Sequence, residues 1–104
     1  MYIITILYPN AEGATFDHEY YRTRHLPEVG KAFKPFGLGY ASVLRGEESA
    51  DGSSPAYLIT TILSFRDEAG AREAMTSEGA RSLIADVPNF TSVAPVVQFN
   101  TAVP

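Results

Sequence analysis

The chain has 104 residues, no cysteine and a formal net charge of -4, with 45% apolar residues. That length and composition describe one globular domain with a modest core and no room for a separate cofactor domain. Without cysteine there is no disulfide, no thiolate nucleophile, no Cys-ligated iron–sulfur cluster and no Cys-type zinc site. The acidic balance and the lack of a basic stripe argue against nucleic acid.

Tyr2–Tyr8 (YIITILY) is β-branched and aromatic and ends at Pro9-Asn10, which reads as a strand and a turn. The run is too short for a membrane span and lacks the basic flank of a signal peptide, so a cytoplasmic protein without a membrane partner is expected. After a loop around Gly13, Phe16-Asp17 opens a helix. Asp17 is placed to accept from first-turn amides, and Phe16 and Tyr21 are spaced to form a hydrophobic staple. Tyr21, His25, Val29 and Phe33 recur four residues apart and share a face. Pro27 lacks an amide hydrogen and crowds the preceding turn, so a kink or break is expected between His25 and Val29, with a second helical piece to about Lys34. Pro35, Gly37 and Gly39 end it.

Gly39–Glu48 reads as a second strand, Ser49–Pro55 as a polar loop and Ala56–Phe65 as a third strand. Asp67 caps a helix over Asp67–Thr76. Ser77 restarts a helical turn whose apolar side is Ala80, Leu83 and Ile84. Asp86–Phe90 (DVPNF) is a turn. A last strand runs within Thr91–Val103 through Ala94, Val96, Val97 and Phe99, and Pro95 inside it calls for an edge position or a bulge. This order gives a ferredoxin-like α+β sandwich, βαββαβ, with a four-stranded antiparallel sheet and the helices on one face.

The third strand departs from the expected alternation. Tyr57, Ile59, Thr61, Leu63 and Phe65 form one row, Ala56, Leu58, Thr60, Ile62 and Ser64 the other, and both are largely apolar. The first strand repeats the pattern. An uncovered apolar sheet face needs a cover, and a second copy of the chain is the simplest, so a homodimer through the sheet face is expected.

His18 and His25 lie seven residues apart on one helix, about 10.5 Å along its axis, too far to share a metal; no metal site is expected. His18 is expected to be exposed. His25 shares the Tyr21/Val29/Phe33 face, and spacing alone favours a satisfied core histidine over a reactive one. No nucleophile elbow, phosphate loop or dinucleotide fingerprint is present, so no cofactor is expected.

The run Tyr8-Pro9-Asn10, Phe16-Asp17-His18-Glu19-Tyr20-Tyr21 and His25-Leu26-Pro27, followed late in the chain by Asp86-Val87-Pro88-Asn89-Phe90-Thr91 and Pro95-Val96-Val97, resembles the EthD (ethyl tert-butyl ether degradation) family. The resemblance spans essentially 1–104 as a single domain. Glu28 departs from it, standing where an apolar residue is expected. The resemblance implies a dimeric α/β barrel that holds a small apolar, aromatic or lactone-like molecule between sheet and helices. Relatives of this barrel type carry out cofactor-free oxygenase, isomerase and cyclase chemistry. His25 is then the candidate general acid or base, with Tyr8, Tyr21, Tyr57, Asn89 and Phe90 as candidate substrate-binding residues. A non-catalytic binding or accessory protein beside an oxidoreductase in small-molecule degradation is the alternative, and haem binding through His25 a more remote one.

Overall fold

A computed structural model describes all residues, 1–104. The strands are β1 (Tyr2–Pro9), β2 (Leu38–Arg45), β3 (Tyr57–Phe65) and β4 (Val96–Thr101). They form one four-stranded sheet in the order β2-β3-β1-β4, antiparallel at every pairing. The helices α1 (His18–Tyr20), α2 (Leu26–Phe33), α3 (Glu68–Met75) and α4 (Glu78–Asp86) cover one face. This is the ferredoxin-like α+β arrangement read from the element order.

The first helix departs from the expected break at Pro27. Its backbone runs on without interruption from α1 through a π-helical turn, Tyr21–His25, into α2. The Leu26 amide donates to the Tyr21 carbonyl, a five-residue step, and His25 and Leu26 keep helical dihedrals. Pro27 supplies no amide, so a carbonyl in the turn before it loses its bond in any case. The wide turn sits at that point, and the helix continues through it instead of breaking. Asp17 is the N-cap, accepting from the Tyr20 amide at 3.0 Å. The Phe16–Tyr21 staple closes with ring centroids 5.2 Å apart.

Other boundaries shift as well. β4 begins at Val96, so Pro95 lies just outside the strand rather than within a bulge. β4 is an edge strand. The segment after Ser77 is a nine-residue helix, not a single turn, with the Ser77 hydroxyl accepting from the Ala80 amide. Asp86–Phe90 resolves into the end of α4 and a 3-10 turn, Val87–Asn89. No helix is long and apolar enough to cross a membrane.

The core under the helices has two parts. One is built from Ile4, Leu63 and Phe65 of the sheet against Val29, Phe33, Ala71 and Ala74. The other is aromatic and gathers Tyr8, Tyr21, Ile59 and Phe90 at the end where the π turn crosses the sheet. The opposite face has no helix. Ile3, Leu7, Leu58 and Ile62 are half-buried there, and Tyr40, Leu44 and Val96 are exposed.

Gly70 of α3 lies so close to the 3-10 turn Lys34–Phe36 that a Cβ would stand 2.1 Å from the Phe36 carbonyl oxygen, whereas a Cβ at Gly30 of α2 meets nothing within 4 Å. The same substitution should therefore act in opposite directions. Gly30→Ala should stabilise by about 0.5–1 kcal/mol through helix propensity. Gly70→Ala should destabilise by about 1–3 kcal/mol through overpacking. Urea-denaturation midpoints of the two variants check this.

Candidate functional site

The site forms where two distant stretches are tied together. The Asp17 amide donates to the Phe90 carbonyl at 2.7 Å, and the Ser92 amide to the Thr15 carbonyl at 3.3 Å. The Thr91 hydroxyl donates to the Thr15 carbonyl at 2.7 Å, and the Thr15 amide to Ser92 Oγ at 3.0 Å. Phe16 and Thr91 pair as an isolated antiparallel bridge. The π turn and the end of α4 are thereby held side by side.

His25 leaves the π turn and is buried to 4% exposure. Its Nδ1 lies 2.9 Å from Asp86 Oδ2. Its ring stacks on Tyr21 at 5.3 Å and tilts against Phe90 at 4.6 Å. The Tyr21 hydroxyl pairs with Thr61 Oγ1. Asp86 Oδ1 accepts from the Tyr20 hydroxyl at 2.7 Å and from Asn89 Nδ2 at 2.9 Å. Partial burial pushes the Asp86 carboxyl up, but the bonds from Asn89, His25 and Tyr20 outweigh it and hold the group below its ordinary value.

His25 and Asp86 face different spaces. His25 lines a small cavity of about 40 Å³, together with Ile6, Tyr8, Val29, Phe33, Met75, Leu83, Ile84, Val87 and Val97. That volume accepts a water-sized group and is too small for a tetrapyrrole. It adjoins a cleft of about 530 Å³ that shares Ile84, Val87 and Pro95 with it. Ile84 is 57% exposed and Val97 41%, so the mouth between α4 and β4 is apolar and open. Asp86 instead lines an outer polar groove of about 820 Å³ between α2 and α4, with Tyr20, Arg24, Glu28 and Lys31. With Nδ1 on Asp86, Nε2 is the ring nitrogen left for the cavity. No buried side-chain nitrogen or oxygen lacks a partner, and no protein group bonds Nε2, so Nε2 touches open space.

The candidates read from the sequence separate by position. His25 and Tyr8 line the cavity. Tyr21 and Phe90 pack on the His25 ring from behind. Asn89 is exposed and bonded to Asp86. Tyr57 is 42% exposed at the start of β3, opposite Pro9, and does not line the cavity. Glu28 lines the outer groove and pairs with Lys31 at 3.5 Å, so the departure at this position leaves the cavity untouched. His18 is half-buried rather than exposed, its ring 5.0 Å from Phe16. No cluster of three or more His, Asp or Glu side chains is assembled to hold a metal ion.

Sequence reasoning missed Asp86 and the role of Tyr20. A signal for Asp86 was available. A carboxylate closing a helix opposes the helix dipole and needs donors to hold it.

No family model and no curated protein matches the chain. Solved structures do. An EthD-like protein from Ralstonia eutropha JMP134 is 33% identical, over 95% of this chain and 88% of that one, with a TM-score of 0.84. The chain belongs to the EthD-like family. A second member, the ethyl tert-butyl ether (EthD) family protein from Bacillus halodurans C-125, is 20% identical over 97% of this chain and 99% of its own, with a TM-score of 0.72. SnoaB from Streptomyces nogalater, a cofactor-independent oxygenase, is 12% identical over 99% and 91% of the two chains, with a TM-score of 0.65, and shares the fold. The EthD-like family and its structural neighbours thus place this chain among small ferredoxin-like proteins.

Burial pushes the Tyr8 hydroxyl well above its ordinary range, with neighbouring Tyr21 and the Asp86 carboxylate adding to it; burial likewise raises Tyr21. A folded-state value above the unfolded 10.0 contributes stability that is complete below pH 10 and is lost as pH rises beyond it. Tyr8→Phe should therefore flatten the loss of stability above pH 10. Denaturant midpoints of wild type and variant across the alkaline range measure it.

Proposed function

We propose that this EthD-like protein binds a small apolar, aromatic or lactone-like molecule in the space between sheet and helices. We propose further that His25 exchanges a proton with it, in chemistry of the cofactor-free oxygenase, isomerase or cyclase type. The observation that carries this reading is the position of His25: a buried imidazole on the wall of an apolar cavity, with one ring nitrogen on a carboxylate and the other bonded by no protein group. A histidine held this way is suited to general acid–base work. Tyr8 stands on the same wall with a hydroxyl that burial keeps protonated, next to the Tyr21 hydroxyl. Tyr21, Phe90 and Asn89 support His25 and its partner; Tyr57 belongs to the far rim.

The working unit in this proposal is a homodimer joined through the helix-free face of the sheet, which supports it with Ile3, Leu7, Leu58 and Ile62 across the two central strands and Leu44, Tyr40 and Val96 at its edges. The second reading is a binding or accessory protein that holds the same ligand without turning it over. The shortage of polar groups on the cavity wall favours it.

His25→Ala should lower turnover of a responsive compound, found in a panel of aromatic hydroxy compounds and lactones, by about 10²-fold or more while the assembly persists. Unchanged turnover removes His25 as catalyst. Binding without turnover across the panel selects the accessory role. Ile62→Lys places a charge at the centre of the helix-free face and should convert a dimer to a folded monomer in sedimentation equilibrium; a monomeric wild type removes the sheet-face dimer.

A further inference from the structure

Asp86 closes α4 with a negative charge at the end of the helix where the dipole disfavours it. Its two oxygens divide their work. Oδ1 takes the Tyr20 hydroxyl and the Asn89 amide, and Oδ2 takes His25 Nδ1. The titratable and charged groups around the pair are Tyr8 from β1, Tyr20, Tyr21 and Arg24 from the first helix, and Glu28 and Lys31 across the outer groove. Arg24 lies over the Tyr20 ring at 5.6 Å. Its balance of burial and donors keeps Asp86 ionised at neutral pH.

An ionised carboxylate can only accept hydrogen bonds. The neutral His25 ring must therefore carry its proton on Nδ1, and the lone pair on Nε2 toward the cavity; the tautomer is assigned by the partner it bonds. We propose that Asp86, held by Tyr20 and Asn89, is the positioning residue that makes His25 a proton acceptor on the cavity side, so that the site takes a neutral weak acid, an enol or phenol hydroxyl. This rests on the reading that the ligand occupies the His25 cavity.

The step is a single transfer. The O–H bond of the ligand breaks, its electron pair stays on oxygen, and an N–H bond forms at Nε2. The product pair is a ligand oxyanion beside an imidazolium whose Nδ1–H remains on the Asp86 carboxylate; the reverse step restores both. The Tyr8 side chain lines the same cavity, with its hydroxyl beside that of Tyr21. The small 40 Å³ space admits the hydroxyl-bearing end only, and the body of the ligand lies in the adjoining cleft that shares Ile84, Val87 and Pro95.

The test has two readouts on the full chain. Nitrogen-15 NMR of unliganded protein at neutral pH reports the His25 tautomer, and 4-nitrophenol, compared with 4-nitroanisole, reports the bound state of a chromophoric acid. Wild type should show the Nδ1–H form and hold 4-nitrophenol as the yellow phenolate below its solution pKa. Asp86→Asn should lose the Nδ1–H signal and bind the phenol about tenfold less tightly, the order expected for a bond to a charged group, without colour. Asp86→Glu should restore both, and Tyr20→Phe should give an intermediate result in a chain that keeps its fold. An Nε2–H tautomer in wild type, a tautomer unchanged in Asp86→Asn, or a colourless bound nitrophenol overturns the proposal. Failure of both nitro compounds to bind, with the Nδ1–H form present, overturns the cavity as ligand site while supporting the role of Asp86 toward His25.

Discussion

The tie between Thr15–Asp17 and Phe90–Ser92 fixes the geometry on which the region around His25 depends. Main-chain bonds, one threonine and one serine hydroxyl, and the Phe16–Thr91 bridge hold the entrance of the first helix against the exit of the last. His25 and Asp86 are 61 residues apart in the chain, yet their ring and carboxylate meet at 2.9 Å. Neither helix alone could deliver that contact, because each side chain is carried by a different crossover of the sheet. Phe90, at the centre of the tie, serves twice: its carbonyl caps the approach to Asp17 and its ring packs on His25.

The aromatic shell gives this tie its rigidity. Tyr8, Phe16, Tyr21 and Phe90 meet edge-on or tilted at centroid distances between 5.1 and 5.8 Å. Such pairs add about 0.5–1.5 kcal/mol each beyond the burial of their surface. The π turn belongs to the same logic. Turns of this kind occur as single insertions and often at functional sites, and this one carries both Tyr21 and His25 with their rings stacked. Pro27 marks its end, since the bond it cannot make removes the reason for the next turn to keep α-helical register with the last.

Much of this was legible in the residues. The order of apolar runs gave the sheet and its crossovers, Asp17 and Asp67 announced their helices by position, and the double apolar rows of Ala56–Phe65 announced a face that the helices do not cover. His25 stood out because it shares a stripe with Val29 and Phe33. What stayed hidden depends on distance along the chain or on backbone detail. No local pattern joins Asp86 to His25. Asn89 enters as a candidate substrate-binding residue through the family resemblance, and nothing local shows that in the fold its amide donates to the carboxylate three residues earlier. Pro27 calls locally for a kink or a break because it removes a helical bond, and local rules do not foresee the widened turn that keeps the helix continuous. Tyr57 shared a row with Ile59 and Thr61, but a row in an antiparallel sheet runs from core to rim, and Tyr57 stands at the rim.

The separation of charge from cavity has a physical reason. A carboxylate placed on the wall of a 40 Å³ apolar space would carry a desolvation penalty that no ligand hydroxyl could be relied upon to offset. Asp86 avoids it by standing on the polar groove, a quarter exposed at 24%, where water and the Tyr20 and Asn89 donors share its charge. The imidazole then spans the wall. Its ring lines the cavity while Nδ1 meets the charge on the far side, as outer partners orient a histidine in other sites. An apolar interior and an ionised partner are compatible in so small a domain because one planar side chain separates them. Tyr21 and Phe90 hold that side chain in its plane.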